Sequence, residues 1–169
     1  MSEDMTMRAL LEARALMQDV TPLKSDCGRI CGAACCEPDE TGRGGMLLFP
    51  MEERLYEGKK GFVITKDVPG GLPALLLTCD GHCERADRPL SCRIFPLLPK
   101  KSGGRVRAVR DRRGFIVCPL LPDGLAAFDP DFISAVVRAG ECLYRAPQHE
   151  RFLDALHQQI DAYRNILTG

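Results

Sequence analysis

The sequence predicts an α+β fold: a small cysteine-rich part with short strands, an N-terminal helix before it and a C-terminal helical hairpin after it. Three observations carry this. Apolar residues recur at spacings of three and four near both ends of the chain, the mark of amphipathic helix. Between the ends, apolar runs are short and broken by Gly- and Pro-rich turns. Eight of the nine cysteines fall in that middle part, from Cys27 to Cys118. The 169 residues suit one domain with a real core. A single domain over 1–169 is expected, with the cysteine-cluster part at 20–120 and the hairpin at 125–169.

The elements follow in order. Met7, Leu10, Ala13, Met17 and Val20 share one face of a helix from residue 3 to about 19. Ser2 is its cap, Glu3 and Asp4 lie near its start, and Thr21-Pro22 ends it. Glu37 to Gly45 is a loop by composition. Met46 to Phe49 reads as a strand. Pro50 to Tyr56 reads as a short helix with proline at its first position and Glu52-Glu53 on its polar face. Phe62 to Thr65 is a second strand and Pro69-Gly70-Gly71 a turn. Pro73 to Thr78 is a buried strand that delivers Cys79. Lys100 to Gly104 is the turn of a basic hairpin, followed by the strand Arg105 to Arg110. Asp129-Pro130-Asp131 caps a helix to about Arg145, with Phe132, Val136, Ala139 and Leu143 as its stripe. Pro147 starts the last helix, with Phe152, Leu153, Leu156, Ile160, Tyr163 and Leu167 in register to Gly169.

Composition narrows the function classes. Hydrophobic residues make up 45% and charged residues 27%, which excludes disorder as the main state. Lys plus Arg equals Asp plus Glu at 23 each, so net charge points to neither nucleic acid nor membrane as partner. The first six residues are acidic and polar, without the basic and apolar regions of a signal peptide. No apolar run is long enough to span a bilayer. A cytoplasmic location is therefore expected. In a reducing compartment, clustered thiols are metal ligands or redox groups more often than disulfides.

Cys27, Cys31, Cys35 and Cys36 fall within ten residues, and Cys79, Cys83, Cys92 and Cys118 follow. In a helix, Cys27, Cys31 and Cys35 would share one face. Thiolate is the soft ligand that zinc and iron–sulfur clusters prefer. Eight thiolates fill two four-coordinate sites, or one cluster plus a smaller site, or one site with cysteines in reserve. Adjacent Cys35 and Cys36 point apart along most backbones, which suits two metals or two corners of one cluster. A four-thiolate site carries net −2, and Arg29, Arg85, Arg88 and Arg93 lie close in sequence to offset it. His82 is an alternative ligand, read as a neighbour of the site because the thiols suffice. Cys142, within the helix that Asp129-Pro130-Asp131 starts, is read as core. His149 and His157 show no partner in the sequence.

The run Cys27-x₃-Cys31-x₃-Cys35-Cys36, then Cys79 and Cys83, then Arg88-Pro89-x₂-Cys92-Arg93-x-Phe95-Pro96, resembles the YkgJ-type cysteine-cluster proteins. That family is described as a zinc- or iron-chelating domain with a CxxCxxCC signature. The resemblance covers roughly Cys27 to Cys118, and the Arg-Pro-x-x-Cys-Arg-x-Phe-Pro element is its most specific part. It implies metal ligands at the matching cysteines up to Cys92; Cys118 joins them by ligand count. The family usually places two residues between the second cysteine and the vicinal pair, where this chain has Gly32, Ala33 and Ala34. Zinc is the first choice of cofactor, since it needs no assembly machinery and tolerates oxygen. An iron–sulfur cluster is close behind.

The expected function is thus a metal-chelating cysteine-cluster protein in a structural or regulatory role, with no defined reaction. An iron–sulfur protein in electron transfer, or as part of an enzyme, is the first alternative. Cys27, Cys31 and Cys35 miss the Cys-x₃-Cys-x₂-Cys spacing of radical adenosylmethionine enzymes by one residue. Similar cysteine segments occur in proteins like the flagellin lysine methylases, yet no general base, phosphate loop or Ser/His/Asp arrangement stands out. A nucleic-acid module using hairpin 100–114 is the second alternative. That stretch holds seven basic residues against Asp111 alone, but no aromatic precedes Phe115 as a stacking platform, so nucleic acid is disfavoured as partner. A thiol redox switch at Cys35-Cys36 is third. A metal ion is the partner expected.

Overall fold

The computed structural model describes residues 2–37, 45–66, 68–81 and 83–167. Within them the fold is α+β: five α-helices and two small antiparallel sheets. The loop expected over 37–45 and the C-terminal Gly169 fall largely or wholly outside the described residues, as do His82 and the side chains of Tyr163 and Leu167.

Helix α1 is Ser2–Leu16 and buries Thr6, Ala9, Leu10 and Ala13. It ends three residues earlier than expected. Met17 still donates to the Ala13 carbonyl at 3.3 Å and is fully buried, so the apolar stripe outlasts the regular helix. The cysteine-rich segment holds only α2, Gly28–Cys31, and a 3₁₀ turn over Ala34–Cys36. Gly32 and Ala33 between them both take left-handed φ values, 62° and 58°. Glycine adopts that conformation freely and closes α2; alanine holds it against its Cβ. The single helical face that would align Cys27, Cys31 and Cys35 is therefore broken.

Strands β1 (Met46–Leu48), β2 (Phe62–Thr65) and β3 (Leu75–Cys79) form a sheet in the order β1-β3-β2. Leu47 pairs with Leu76 and Phe62 with Cys79. The strand expected from Pro73 starts at Leu75, and of its residues only Leu77 is buried. Val63 and Ile64 on β2, which point to opposite faces of the sheet, are 60% and 36% exposed. Pro50 does not start a helix either. Met51 turns to φ 69°, and a 3₁₀ turn then runs over Glu52–Tyr56.

The basic hairpin is β4 (Leu97–Ser102) and β5 (Arg105–Arg110). Its turn is only Gly103-Gly104, both at positive φ as the two-residue hairpin turn of opposite hand requires. Lys100, Lys101 and Ser102, expected in the turn, instead pair with Arg107, Val106 and Arg105.

Helix α4, Pro130–Leu143, is capped by the Asp129 carboxylate, which accepts from the Asp131 amide at 2.9 Å. Its stripe of Phe132, Val136, Ala139 and Leu143 is buried. Helix α5, Pro147–Leu167, follows across residues 144–146 and buries Phe152, Leu153, Leu156 and Ile160. Helix α4 packs on α1 and on both hairpin strands, and α5 on β4 and α1. The main core runs from Leu10 to Ile160 and takes residues from all these layers. Among the described residues no helix is long and apolar enough to cross a membrane.

Candidate metal centre

Five stretches of chain carry the eight cysteines of the middle part. Cys27 precedes α2 and Cys31 ends it; Cys35 and Cys36 sit in the 3₁₀ turn. Cys79 ends β3, and Cys83 lies in the loop that follows. Cys92 lies within α3, Leu90–Ile94, and Cys118 follows the 3₁₀ turn Arg112–Ile116. None of the nine cysteines forms a disulfide; of the eight, Cys35 and Cys79 are exposed and the other six half-buried. Cys142 is buried in the α4 core.

Polar side chains set this arrangement. Asp26 accepts the Gly28 amide at 3.0 Å and shapes the entry to α2. Arg93 is 8% exposed and donates in four directions. It reaches Arg88 O at 2.9 Å, Arg14 O at 3.0 Å, Gln18 Oε1 at 2.7 Å and Ala86 O at 2.7 Å. One planar guanidinium thus fastens the Cys92 helix and the turn before it to α1. Arg85 does similar work, donating to Gln18 O at 2.6 Å and Val20 O at 2.5 Å. Ser91 Oγ donates to Leu47 O at 2.5 Å and ties α3 to β1. The Phe95–Pro96 peptide that closes the motif is cis.

Glu52 corrects the reading from sequence. It is fully buried, not on an exposed helix face. Its carboxylate meets Arg14 Nη1 at 2.5 Å and accepts from the amides of Leu90 at 2.7 Å and Phe49 at 3.1 Å. Burial pushes this carboxyl upward, while Arg14 and the two amides act to keep it charged.

The eight thiols border two adjoining cavities. One, of about 410 Å³, is lined by Cys35, Cys36, Cys79, Cys83 and Cys92, with Phe62, Val63 and Leu77 as apolar wall. The other, of about 400 Å³, is lined by Cys27, Cys31, Cys35, Cys92 and Cys118. Arg88 and Phe95 line both. So the structure gathers every cysteine that the sequence singled out as a ligand, although their separations run from one residue to ninety-one along the chain.

Cys35 and Cys36 share the tight 3₁₀ turn. The neighbouring Cys36 thiol, burial, and the thiols of Cys31 and Cys92 push the Cys35 thiol up. Burial comes first for Cys92, with Cys36, Cys83 and Cys79 adding to it. Burial, then Cys31, Asp26 and Cys118 raise Cys27. Burial and Cys79 raise Cys83, against the hydrogen bond and charge of Arg88. Burial and neighbouring thiols both favour the neutral form of these four groups.

The four arginines divide by role. Arg88 faces sulfur. Arg85 and Arg93 spend their donors mostly on backbone carbonyls, and Arg29 is exposed. Among the described residues no three His, Cys, Asp or Glu side chains are gathered tightly enough to hold an ion as they stand. The thiols border cavities and do not close on a point. The donor set nonetheless fits a thiophilic metal in kind and number: eight thiol sulfurs, an arginine beside them and apolar walls.

The hairpin is already partly engaged. Lys100 pairs with Asp161 at 3.6 Å, Lys101 with Glu150 at 2.8 Å and Arg113 with Asp111 at 2.6 Å. Arg110 donates to Leu121 O at 2.8 Å and lies 5.4 Å over the Phe115 ring. Arg105, Arg107 and Arg112 remain exposed.

Glu52 and the carbonyl clamp of Arg93 escaped the sequence reading, and only the Arg-Pro-x-x-Cys-Arg-x-Phe-Pro element hinted at the second. No family model, curated protein or solved structure matches the chain.

Proposed function

We propose that this chain is a cytoplasmic metal-chelating cysteine-cluster protein, in which thiolates hold zinc in a structural or regulatory role. The observation that carries the reading is the placement of eight thiols, none in a disulfide and from five stretches of chain, around two adjoining cavities. Two exposed and six half-buried thiols contribute little as core. The resemblance to the YkgJ-type cysteine-cluster family supports the same chemistry. Cys27, Cys31, Cys35, Cys36, Cys79, Cys83, Cys92 and Cys118 are the ligands proposed. The metal is the partner proposed; nucleic acid is not, since four of the seven hairpin cations are already occupied within the chain.

An iron–sulfur cluster is the second reading. The apolar wall of Phe62, Val63 and Leu77 beside five thiols favours it, since a cluster needs more shielded room than a single ion. Elemental analysis and a visible spectrum of protein purified without oxygen separate the two. Colourless protein with stoichiometric zinc supports the first, and brown protein with iron and matching sulfide the second. Protein with neither refutes both. Cys92→Ser is expected to lose metal and solubility together, since binding and folding are coupled in such sites. A soluble variant with full metal content would refute the ligand role.

A further inference from the structure

We propose that the cavity which α5 shares with β1, β3 and the 3₁₀ turn Arg112–Ile116 binds a free amphipathic monocarboxylate, its apolar body in the cavity and its carboxylate on Arg112. This goes beyond the metal reading and does not rest on it. The cavity measures about 650 Å³, within the range of small-molecule sites. Leu47 of β1, Leu76 of β3, Leu97 of β4, Leu156 and Ile160 of α5, and Phe95 build its apolar wall. No cysteine lines it.

The polar groups along this wall are spent, with one exception. Ser91 Oγ donates to Leu47 O. The buried Asp111 carboxylate accepts from the amide and the guanidinium of Arg113. Gln159 is engaged as well. Such a wall offers ordered water few partners, and a cavity of that kind favours an apolar occupant. Arg112 is the exception. It lines the cavity, is exposed, and its guanidinium makes no hydrogen bond or ion pair among the described residues. Ile116 lines the cavity from the same turn and is 91% exposed, which leaves apolar surface uncovered beside that cation.

These features define the ligand class. The wall takes a hydrocarbon body, and the guanidinium fork matches a carboxylate through two parallel N–H···O bonds. One unpaired cation balances one negative charge. A phosphate dianion would bring a second negative charge toward the buried Asp111, so a monoanion is the better fit.

The test is calorimetric titration of the full chain with hexanoate, octanoate and decanoate below their micelle concentrations, with octan-1-ol as the uncharged control. Affinity should rise along the series, by up to about fourfold per added methylene. Octanoate should bind the wild type about tenfold or more tightly than octan-1-ol does, and Arg112→Gln should remove that advantage. Arg112 is exposed, so the variant should melt with the wild type. Leu76→Trp, which fills the cavity, should abolish octanoate binding; where that variant does not fold, Arg112→Gln answers alone. Octanoate that fails to bind overturns the proposal. So does octanoate that binds no more tightly than octan-1-ol, or equally well to Arg112→Gln. Sedimentation with phosphatidylglycerol vesicles without binding of free octanoate overturns it too, and assigns the same groups to a lipid surface.

Discussion

The Glu52 carboxylate accepts the Leu90 amide at 2.7 Å and so caps, from a distant turn, the short helix that carries Cys92. A helix of five residues cannot satisfy its first amides from within. Glu52 supplies the missing acceptor and places a negative charge at that helix start. Arg14 at 2.5 Å balances the charge, and α1, α3 and Phe49, the residue after β1, are joined at one buried carboxylate.

Glu52→Gln keeps the shape but removes the charge, leaving Arg14 largely buried without its partner. Breaking a buried pair from one side costs about 3 kcal/mol or more. Urea unfolding should show that loss. The double variant Glu52→Gln/Arg14→Met should be less destabilised than the sum of the single variants. Strict additivity would mean that the pair does not couple.

Arg93→Lys tests the clamp behind α3. Lysine keeps the charge, but its point ammonium cannot reach Arg88 O, Arg14 O, Ala86 O and Gln18 Oε1 together as the fork does. Each charge-assisted bond contributes on the order of 1.5–3 kcal/mol, so a loss of roughly 2–4 kcal/mol is expected, since lysine keeps some of the contacts. Limited proteolysis should open residues 84–96 first. An unchanged cleavage pattern and midpoint would show that the four bonds carry no weight.

What the sequence shows and hides follows from distance along the chain. The Asp129 cap and the stripe of α4 are local patterns, and both are found where the spacing places them. The gathering of the cysteines is legible because thiols are rare and have few reasons to cluster. Glu52 looks like half of an exposed acidic pair because its partners lie 38 residues away on either side. Arg93 reads as a counter-charge for sulfur, yet its most distant acceptor along the chain is a carbonyl 79 residues back. The α2 segment fails as a continuous helix because Gly32 and Ala33 turn left-handed, a choice that the helical spacing of its cysteines conceals.

Gly140 in α4 is another such place. A glycine inside a helix is normally improved by alanine, by about 1 kcal/mol. Here a Cβ would stand 2.4 Å from Pro99 Cβ and 2.8 Å from Val106 Cγ1. The proline ring cannot swing aside, so α4 must lift off the hairpin. Gly140→Ala should therefore lower stability, by about 1–3 kcal/mol as overpacking does. A stabilised variant would show that α4 and β4 have slack between them.

His149 gives the fold a pH dependence of defined sign. Its ring is fully buried against Phe49, with centroids 5.9 Å apart, and its Nε2–H donates to Thr6 O at 2.9 Å. Its Nδ1 is buried with no hydrogen-bond partner. Burial holds its pKa below the ordinary value, and the bond to Thr6 opposes that only in part. The folded protein keeps the imidazole neutral, whereas the unfolded chain protonates it near pH 6.5. The stability contribution is thus complete above about pH 6.5 and is lost as pH falls from there through the lowered folded value. His157 adds to the same trend. It is buried, donates to Pro99 O at 2.9 Å, and faces Lys100, Asp161 and Asp111. Unfolding free energies at pH 7.5 and 5.5 should differ in the wild type and differ less in His149→Gln. An equal pH difference in both proteins would show that His149 titrates alike folded and unfolded.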